Sequence, residues 1–343
     1  MDCANSASCT RASASGAVDS TVPKTVLVTG AAGFIGSHTA EAFLRRGDRV
    51  VGLDSFDDYY EPARKRVNAA EVATTGGAAF RMVEGDIRDR ALVARIVGEE
   101  RPDAIVHLAA LAGVRASIGQ AQRYFDVNVQ GTISLLDAAR DHRVGQFVFA
   151  STSSVYGNTD RVPFEESDPC DRPLAPYPAS KRAGELIGHS FHNLDGLNFT
   201  ALRFFTVYGP RNRPDMMAFM LMDSIATRKP VALYAGGELR RDWTFVGDIV
   251  AGIVAAVDRP LGYAVMNIGR GEPVWLSEFV RVIEEGAGAR AVLHDEPMPA
   301  ADVAVTHADV SRARSLLGYQ PTTSVRDGAK ALWAWYRRAA ATR

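Results

Sequence analysis

The sequence predicts an α/β fold, a doubly wound parallel sheet with a smaller mixed C-terminal lobe, and three observations predict it. Short β-branched runs alternate with helical stretches through the first 200 residues; a glycine-rich turn joins the first strand to the first helix; and past about Tyr208 the rhythm breaks at Pro210, Pro214 and Pro230. Strands regularly separated by helices pair in parallel through crossover helices, which cover both faces of the sheet.

Thr25 to Thr29 (TVLVT) reads as the first strand, followed by a helix to about Arg46 that Gly47 stops. Further strands are expected at Arg49–Leu53, Ala79–Val83, Ala104–Leu108, Gln146–Ala150 and Asn198–Phe204, with helices over about 89–98, 120–142 and 178–194. A helix over 247–258 and a strand over 263–267 are expected to rejoin the main sheet. The expected organisation is therefore a main domain over 23–207 and a lobe over 208–343, with about 247–268 returning to the main domain. Residues 1–22 are rich in Ala, Ser and Thr and lack a basic start followed by an apolar core, so a disordered extension is expected rather than a secretory signal.

A chain of 343 residues suits one large α/β domain with an appended lobe. With a formal net charge of −1, there is no global positive field to attract nucleic acid or an anionic membrane, so an anionic ligand has to be held by local arginines and helix N-termini. Cys3, Cys9 and Cys170 make neither a disulfide framework nor a metal site. No apolar run approaches the roughly 20 residues that span a bilayer, and a cytoplasmic location is expected.

The turn after the first strand carries Gly30, Gly33 and Gly36, a Gly-x-x-Gly-x-x-Gly spacing that also contains Phe34 and Ile35. Between a strand and a helix, such glycines give a tight turn, close backbone approach to a pyrophosphate and close packing of helix on strand, the Rossmann-type signature. Asp54 ends the second strand, 18 residues past Gly36. A carboxylate there accepts the adenosine ribose hydroxyls and repels the extra phosphate of NADP, which favours NAD. Asp86 and Ile87 either flank the adenine or open the next helix, where Asp86 would act as a cap. Arg64 and Arg66 are expected to be solvated helix-surface residues.

Tyr177-Pro-Ala-Ser-Lys181 opens the helix after the fifth strand. Positions i and i+4 share a helical face, so Tyr177 and Lys181 can enter one pocket. Tyrosine is a poor base near neutral pH; a nearby ammonium and the nicotinamide charge favour its phenolate, which then takes a hydroxyl proton as hydride leaves carbon. Thr152, Ser153 and Ser154 follow the fifth strand as a hydroxyl cluster able to bind a sugar hydroxyl or its ketone.

With TGAAGFIGSH, EGDIRD, HLAALAGV, VNVQGT, STSSVYG, YPASK and RDWTFVGDI, the chain from Thr25 to about Trp335 resembles the extended short-chain dehydrogenase/reductase family. Within it, LDSFDDYYEPARKR, AGVRASI and RFFTVYGPRNRPDMM most resemble UDP-glucuronate 4-epimerases. The resemblance implies Thr152, Tyr177 and Lys181 as the catalytic residues. It implies that NAD is held by Gly30, Gly33, Phe34, Ile35, Gly36, Asp54, Asp86, Ile87, Leu108, Ala109, Ala110, Asn128, Tyr177 and Lys181. It also implies that a UDP-sugar is held by Ser153, Ser154, Thr206, Tyr234, Arg241 and Asp302, with Tyr234 against uracil, Arg241 on the diphosphate and Asp302 on the ribose.

Related dehydratases carry Asp-Glu after the threonine, and related decarboxylases carry a glutamate before Val-Tyr-Gly; here both places are serine. That favours an isomerase working by oxidation at C4, rotation of the 4-keto sugar and re-reduction, with NAD regenerated each turnover. A glucuronate would pass through a β-keto acid, whose carboxylate needs the hydroxyl run plus an arginine fork. Arg211 and Arg213 are equal candidates and Arg115 is a third. The alternatives are a UDP-glucose/galactose 4-epimerase, a UDP-glucuronate decarboxylase, or an NAD-sensing scaffold on the same fold. The helices at about 120–142 and 178–194 resemble the pair that forms a homodimer interface in the family.

Overall fold

A computed structural model describes residues 22–341. The expected N-terminal extension, with Cys3 and Cys9, lies outside the described residues apart from Val22. The elements of the first half are β1 (Thr25–Thr29), α1 (Phe34–Arg46), β2 (Arg49–Asp54), α2 (Pro62–Gly76), β3 (Phe80–Glu84), α3 (Arg90–Glu100), β4 (Ala104–His107), α4 (Ala121–Phe125), α5 (Gly131–Asp141), β5 (Gln146–Thr152), α6 (Pro176–Asp195) and β6 (Phe199–Phe204).

Beyond them follow β7 (Thr206–Tyr208), α7 (Met217–Thr227), β8 (Val231–Tyr234), β9 (Arg240–Arg241), β10 (Trp243–Phe245), α8 (Val246–Asp258), β11 (Tyr263–Ile268), β12 (Val274–Trp275), α9 (Leu276–Ala287), β13 (Leu293–Glu296), α10 (Ser311–Leu317) and α11 (Val325–Ala341). Seven parallel strands form the main sheet in the order β11-β6-β5-β4-β1-β2-β3. The order reverses between β1 and β4, and such a switch point opens a crevice beyond the carboxyl ends of the strands.

Helices on both faces exclude water from the central strands, so β1, β4 and β5 read as largely apolar runs rather than alternating ones, while β6 buries Thr200 and Arg203 among apolar residues. One core lies under α1 and α8 and the other under α3, α5 and α6. In the second, Phe147 and Phe199 stack at 5.5 Å, each fully buried. Each such side chain contributes roughly 2–3 kcal/mol by leaving water. A third core joins α7, α9 and α11 of the later segment, where β13 pairs with β8 and β12 with β9 in small sheets.

The expected continuous helix over 120–142 is interrupted. A π turn at Asp126–Gln130 separates α4 from α5, and a widened turn of this kind commonly re-aims a side chain at a functional site. Among the described residues, no helix is long and apolar enough to cross a membrane, and no cluster of three or more His, Cys, Asp or Glu is placed to hold a metal.

Candidate active site

A cavity of about 370 Å³ opens at the switch point and is lined by the glycine turn, Asp54, Thr152, Tyr177 and Lys181 together. Gly30 has φ +69°, and a Cβ on it would lie 2.8 Å from the Ala109 nitrogen. At Gly36, a Cβ would stand 1.9 Å from the Gly30 carbonyl oxygen. No side chain fits either place, which lets α1 begin directly against the turn. Phe34, Ile35, Asp86, Ile87, Leu108, Ala109 and Ala110 also line the cavity.

Asp54 is buried and fixed: Oδ2 accepts from the Ala32 N–H at 3.0 Å and Oδ1 from the Phe56 N–H at 2.8 Å. Each oxygen keeps a lone pair for a ribose hydroxyl. Burial raises its pKa, and the Phe56 N–H and Lys65 oppose that rise. Asp86 is not the helix cap: Asp89 caps α3 by accepting from the Leu92 N–H at 3.0 Å, while Asp86 pairs with Arg88 at the cavity wall. A glycine turn at a helix N-terminus beside a fixed carboxylate fits the pyrophosphate and diol of NAD.

No motif in the sequence singles out Lys65. It is buried in the cavity wall, donates from Nζ to the Asp57 carbonyl at 2.6 Å and lies 4.7 Å from the centre of the Tyr60 ring. Its signal was the inward stripe Lys65, Asn68, Val72 on α2, in which Asn68 donates to the Ala32 carbonyl at 3.0 Å. The adjacent Arg66 turns outward and forks onto Glu84 at 2.8 and 2.7 Å.

Asn128 is a correction. It does not line the cavity: Oδ1 accepts from the Leu111 N–H at 2.8 Å, and Nδ2 donates to the Leu111 carbonyl and to Ser180 Oγ, both at 2.9 Å. Its amide is committed within the protein. From the π turn it pins the strand-end loop after β4 to α6.

Tyr177 and Lys181 open α6, with Pro176 in its first turn. Burial raises the pKa of Tyr177, opposed by hydrogen bonding to Thr152 and by the positive charge of Arg213. Lys181, expected to supply that charge, is itself lowered to about 7 by burial, with Glu185 working in the other direction. Its Nζ sits 4.3 Å from the centre of the Phe149 ring. Thr152 has two tasks: its Oγ1 accepts from the Ser154 N–H at 3.2 Å to start a short helical turn, and its hydroxyl faces the cavity beside Ser153 and Ser154.

The two loop arginines separate. Arg213 lines the cavity with Thr206. Arg211 does not, which corrects the expectation that it could hold substrate. It turns the other way at φ +62° and pairs with Glu41 on α1 and Glu71 on α2. Two carboxylates and near-complete burial commit it to fastening the loop, helped by the His38 Nε2–H donating to the Pro210 carbonyl at 2.9 Å. Arg115 lies outside the cavity lining too, donating to the Tyr234 hydroxyl with its guanidinium carbon 4.7 Å from the Tyr234 ring centre. Arg241 Nη2 donates to Asp302 Oδ1 at 2.7 Å, and Arg241 feels the positive charge of Arg115. Arg115, Tyr234, Arg241 and Asp302 thus form a separate cluster.

The profile of the NAD dependent epimerase/dehydratase family matches residues 26–269. UDP-glucuronate 4-epimerase 4 of Arabidopsis thaliana is 40% identical over 330 residues, covering 91% of this chain and 75% of the relative. The crystal structure of UDP-glucuronic acid 4-epimerase from Bacillus cereus, in complex with UDP-glucuronic acid and NAD, is similar with a TM-score of 0.86. It is 33% identical, over 92% of this chain and 99% of the other. A UDP-glucose 4-epimerase from Thermotoga maritima gives a TM-score of 0.84 at 27% identity, over 92% and 99% of the two chains. With a glycine turn, Asp54, Tyr177 and Lys181 converging on one cavity and relatives matching almost throughout, the chain belongs to the NAD dependent epimerase/dehydratase family.

Proposed function

We propose that this protein is a UDP-glucuronate 4-epimerase that converts UDP-glucuronate and UDP-galacturonate into one another with NAD. The observation that carries the reading is the wall around Tyr177: Thr152, Ser153, Ser154 and Arg213, hydroxyls and one cation. A carboxylate substrate is complementary to that wall, and dehydration would need an acid in the hydroxyl run where this chain has serine.

Bound against the glycine turn and Asp54, NAD supplies the hydride acceptor for sugar C4 and the donor for the return. Tyr177 takes the O4 proton on oxidation and gives it back on reduction, passing through phenolate. Thr152 hydrogen-bonds the phenol, and the Arg213 charge favours phenolate over phenol. Thr206, Ser153 and Ser154 hold the carboxylate with Arg213. Arg241, Asp302, Tyr234 and Arg115 hold the UDP moiety, about which the 4-keto sugar turns to present its other face.

Mixing purified protein with UDP-glucuronate, without added cofactor, tests this. UDP-galacturonate by NMR is expected; carbon dioxide with a UDP-pentose would make it a decarboxylase, and turnover of UDP-glucose alone a neutral-sugar epimerase. No turnover of any of them would support the scaffold alternative.

A homodimer and a cytoplasmic location complete the proposal. The first is supported by exposed Phe125 on α4 and Leu186 on α6, two helices that pack together. Buried, unpaired Cys170, its thiol pushed up to about 12 by burial, suits a reducing compartment.

A further inference from the structure

Arg213 and Asp215 stand two residues apart on the loop between β7 and α7, with Pro214 between them. Arg213 donates from Nε to Asp215 Oδ1 at 3.0 Å and from Nη2 to Asp215 Oδ2 at 2.9 Å. This fork uses one edge of the planar guanidinium and leaves Nη1, on the other edge, for a second acceptor. Tyr59, from the loop after β2, sets its ring centre 5.6 Å from the guanidinium carbon and its hydroxyl 3.4 Å from Asp215 Oδ2. Arg213 is thereby held along one edge and over one face before any ligand arrives, so less rotamer freedom is lost on binding. Asp215 is 41% exposed, and ion pairs that accessible contribute little to folding. Stability therefore gives no account of why the pair is built this way.

We propose that Asp215 is a specificity-determining positioning residue: it aims the free edge of Arg213 at the sugar carboxylate. The inference rests on the UDP-glucuronate reading above. In the 4-keto intermediate the carboxylate carbon hangs on C5, next to the ketone. Loss of carbon dioxide breaks the C5–C6 bond, whose electron pair passes to C5 and the C4 oxygen as an enolate. A solvent proton then returns to C5, giving a UDP-4-keto-pentose, while the two electrons taken from C4 stay on the nicotinamide. The bond breaks readily only when it lies parallel to the ketone π system. A guanidinium locked by Asp215 holds the carboxylate away from that alignment; a mobile one does not.

The experiment compares wild type, Asp215→Asn and Asp215→Glu, each as the full chain with its bound cofactor. Calorimetry reads binding of UDP, UDP-glucose and UDP-glucuronate, and NMR reads products from UDP-glucuronate. An asparagine turns an N–H toward the guanidinium and breaks the fork. Asp215→Asn is expected to keep UDP affinity and melting temperature, and to lose roughly 10- to 100-fold in UDP-glucuronate affinity and kcat/KM, the scale of a misplaced binding group. Its ratio of UDP-4-keto-pentose to UDP-galacturonate is expected to rise several-fold, with Asp215→Glu in part restoring both. If wild type favours UDP-glucuronate over UDP-glucose and Asp215→Asn matches it in affinity and product ratio, the role of Asp215 falls alone. If wild type binds the two sugars equally, the carboxylate reading falls and this inference with it.

Discussion

Glu185 accepts two hydrogen bonds from Arg203, at 2.9 and 2.8 Å, with both side chains shut off from water. Glu185 stands one helical turn beyond Lys181 and also accepts from Ser151 and, at 2.8 Å, from Arg182. It therefore ties the Tyr177 and Lys181 face of α6 to β5 and β6. Removing one member of a buried pair leaves a charge without a partner. Glu185→Gln is expected to cost about 3–5 kcal/mol in urea denaturation, and Glu185→Met with Arg203→Met to recover most of it. A single-variant loss below about 1 kcal/mol would contradict the strut role.

Lys181 gives a pH signature. Its pKa is lowered to about 7 in the folded chain, against about 10.4 for a free lysine. Between those values the unfolded chain holds a proton that the folded one lacks, so stability rises with pH across that window and the gain is complete above it. Wild type should gain about 2 kcal/mol relative to Lys181→Met between about pH 7 and about pH 9. Equal slopes in the two proteins would mean that Lys181 stays protonated.

Arg211 and Arg213 should fail in opposite ways. Arg211→Met takes one of two arginines from buried Glu41, leaving it to Arg45 alone, so a loss of about 1–3 kcal/mol in stability is expected, with UDP-glucuronate KM changed by less than about threefold. Arg213→Met should leave the melting temperature near that of wild type and lower kcat/KM for UDP-glucuronate by roughly 100-fold. Thermal melts and steady-state kinetics on both variants decide, and the reverse pattern would exchange the two assignments.

Gly36→Ala puts a methyl group 1.9 Å from the Gly30 carbonyl oxygen. Backbone cannot yield as a side-chain tip does, so α1 has to shift off the turn. The variant is expected to purify without NAD, measured as nucleotide released on heat denaturation. Wild-type nucleotide content would show that the close approach is dispensable.

Asp54→Asn removes the charge proposed to face the ribose while keeping the shape. Retention of NAD should fall, and the preference for NAD over NADP should shrink by about 10-fold, read as competitive binding. An unchanged preference would move cofactor choice elsewhere in the wall, with Lys65 the nearest residue to examine.

The sheet was legible because strands buried on both faces are mostly apolar, as Phe147 to Ala150 are. The glycine turn, Asp54 and the Tyr177/Lys181 spacing were legible because local geometry sets where they point. Arg211 and Arg213 were not separable, because the choice is made by Glu41 and Glu71, 170 and 140 residues earlier in the chain. Asn128 was read as a cofactor ligand because nothing in VNVQGT announces a π turn, which sends its amide to Leu111 instead. Lys65 stands between outward Arg66 and Arg64, which was expected to be solvated but packs its guanidinium 4.8 Å from the Phe219 ring centre. Only the stripe through Asn68 and Val72 distinguishes Lys65.

The pairing of the site cations reaches into how quickly ligand finds the pocket. Arg213 meets the approaching sugar already partnered by Asp215, and Arg241 by Asp302. From beyond a Debye length of about 8 Å, each pair is nearly neutral to an incoming nucleotide. Long-range attraction is then weak, and the guanidinium edges are felt only on contact. Encounter should proceed at the unsteered pace of ordinary docking, nearly indifferent to added salt, leaving residence time to separate one UDP-sugar from another.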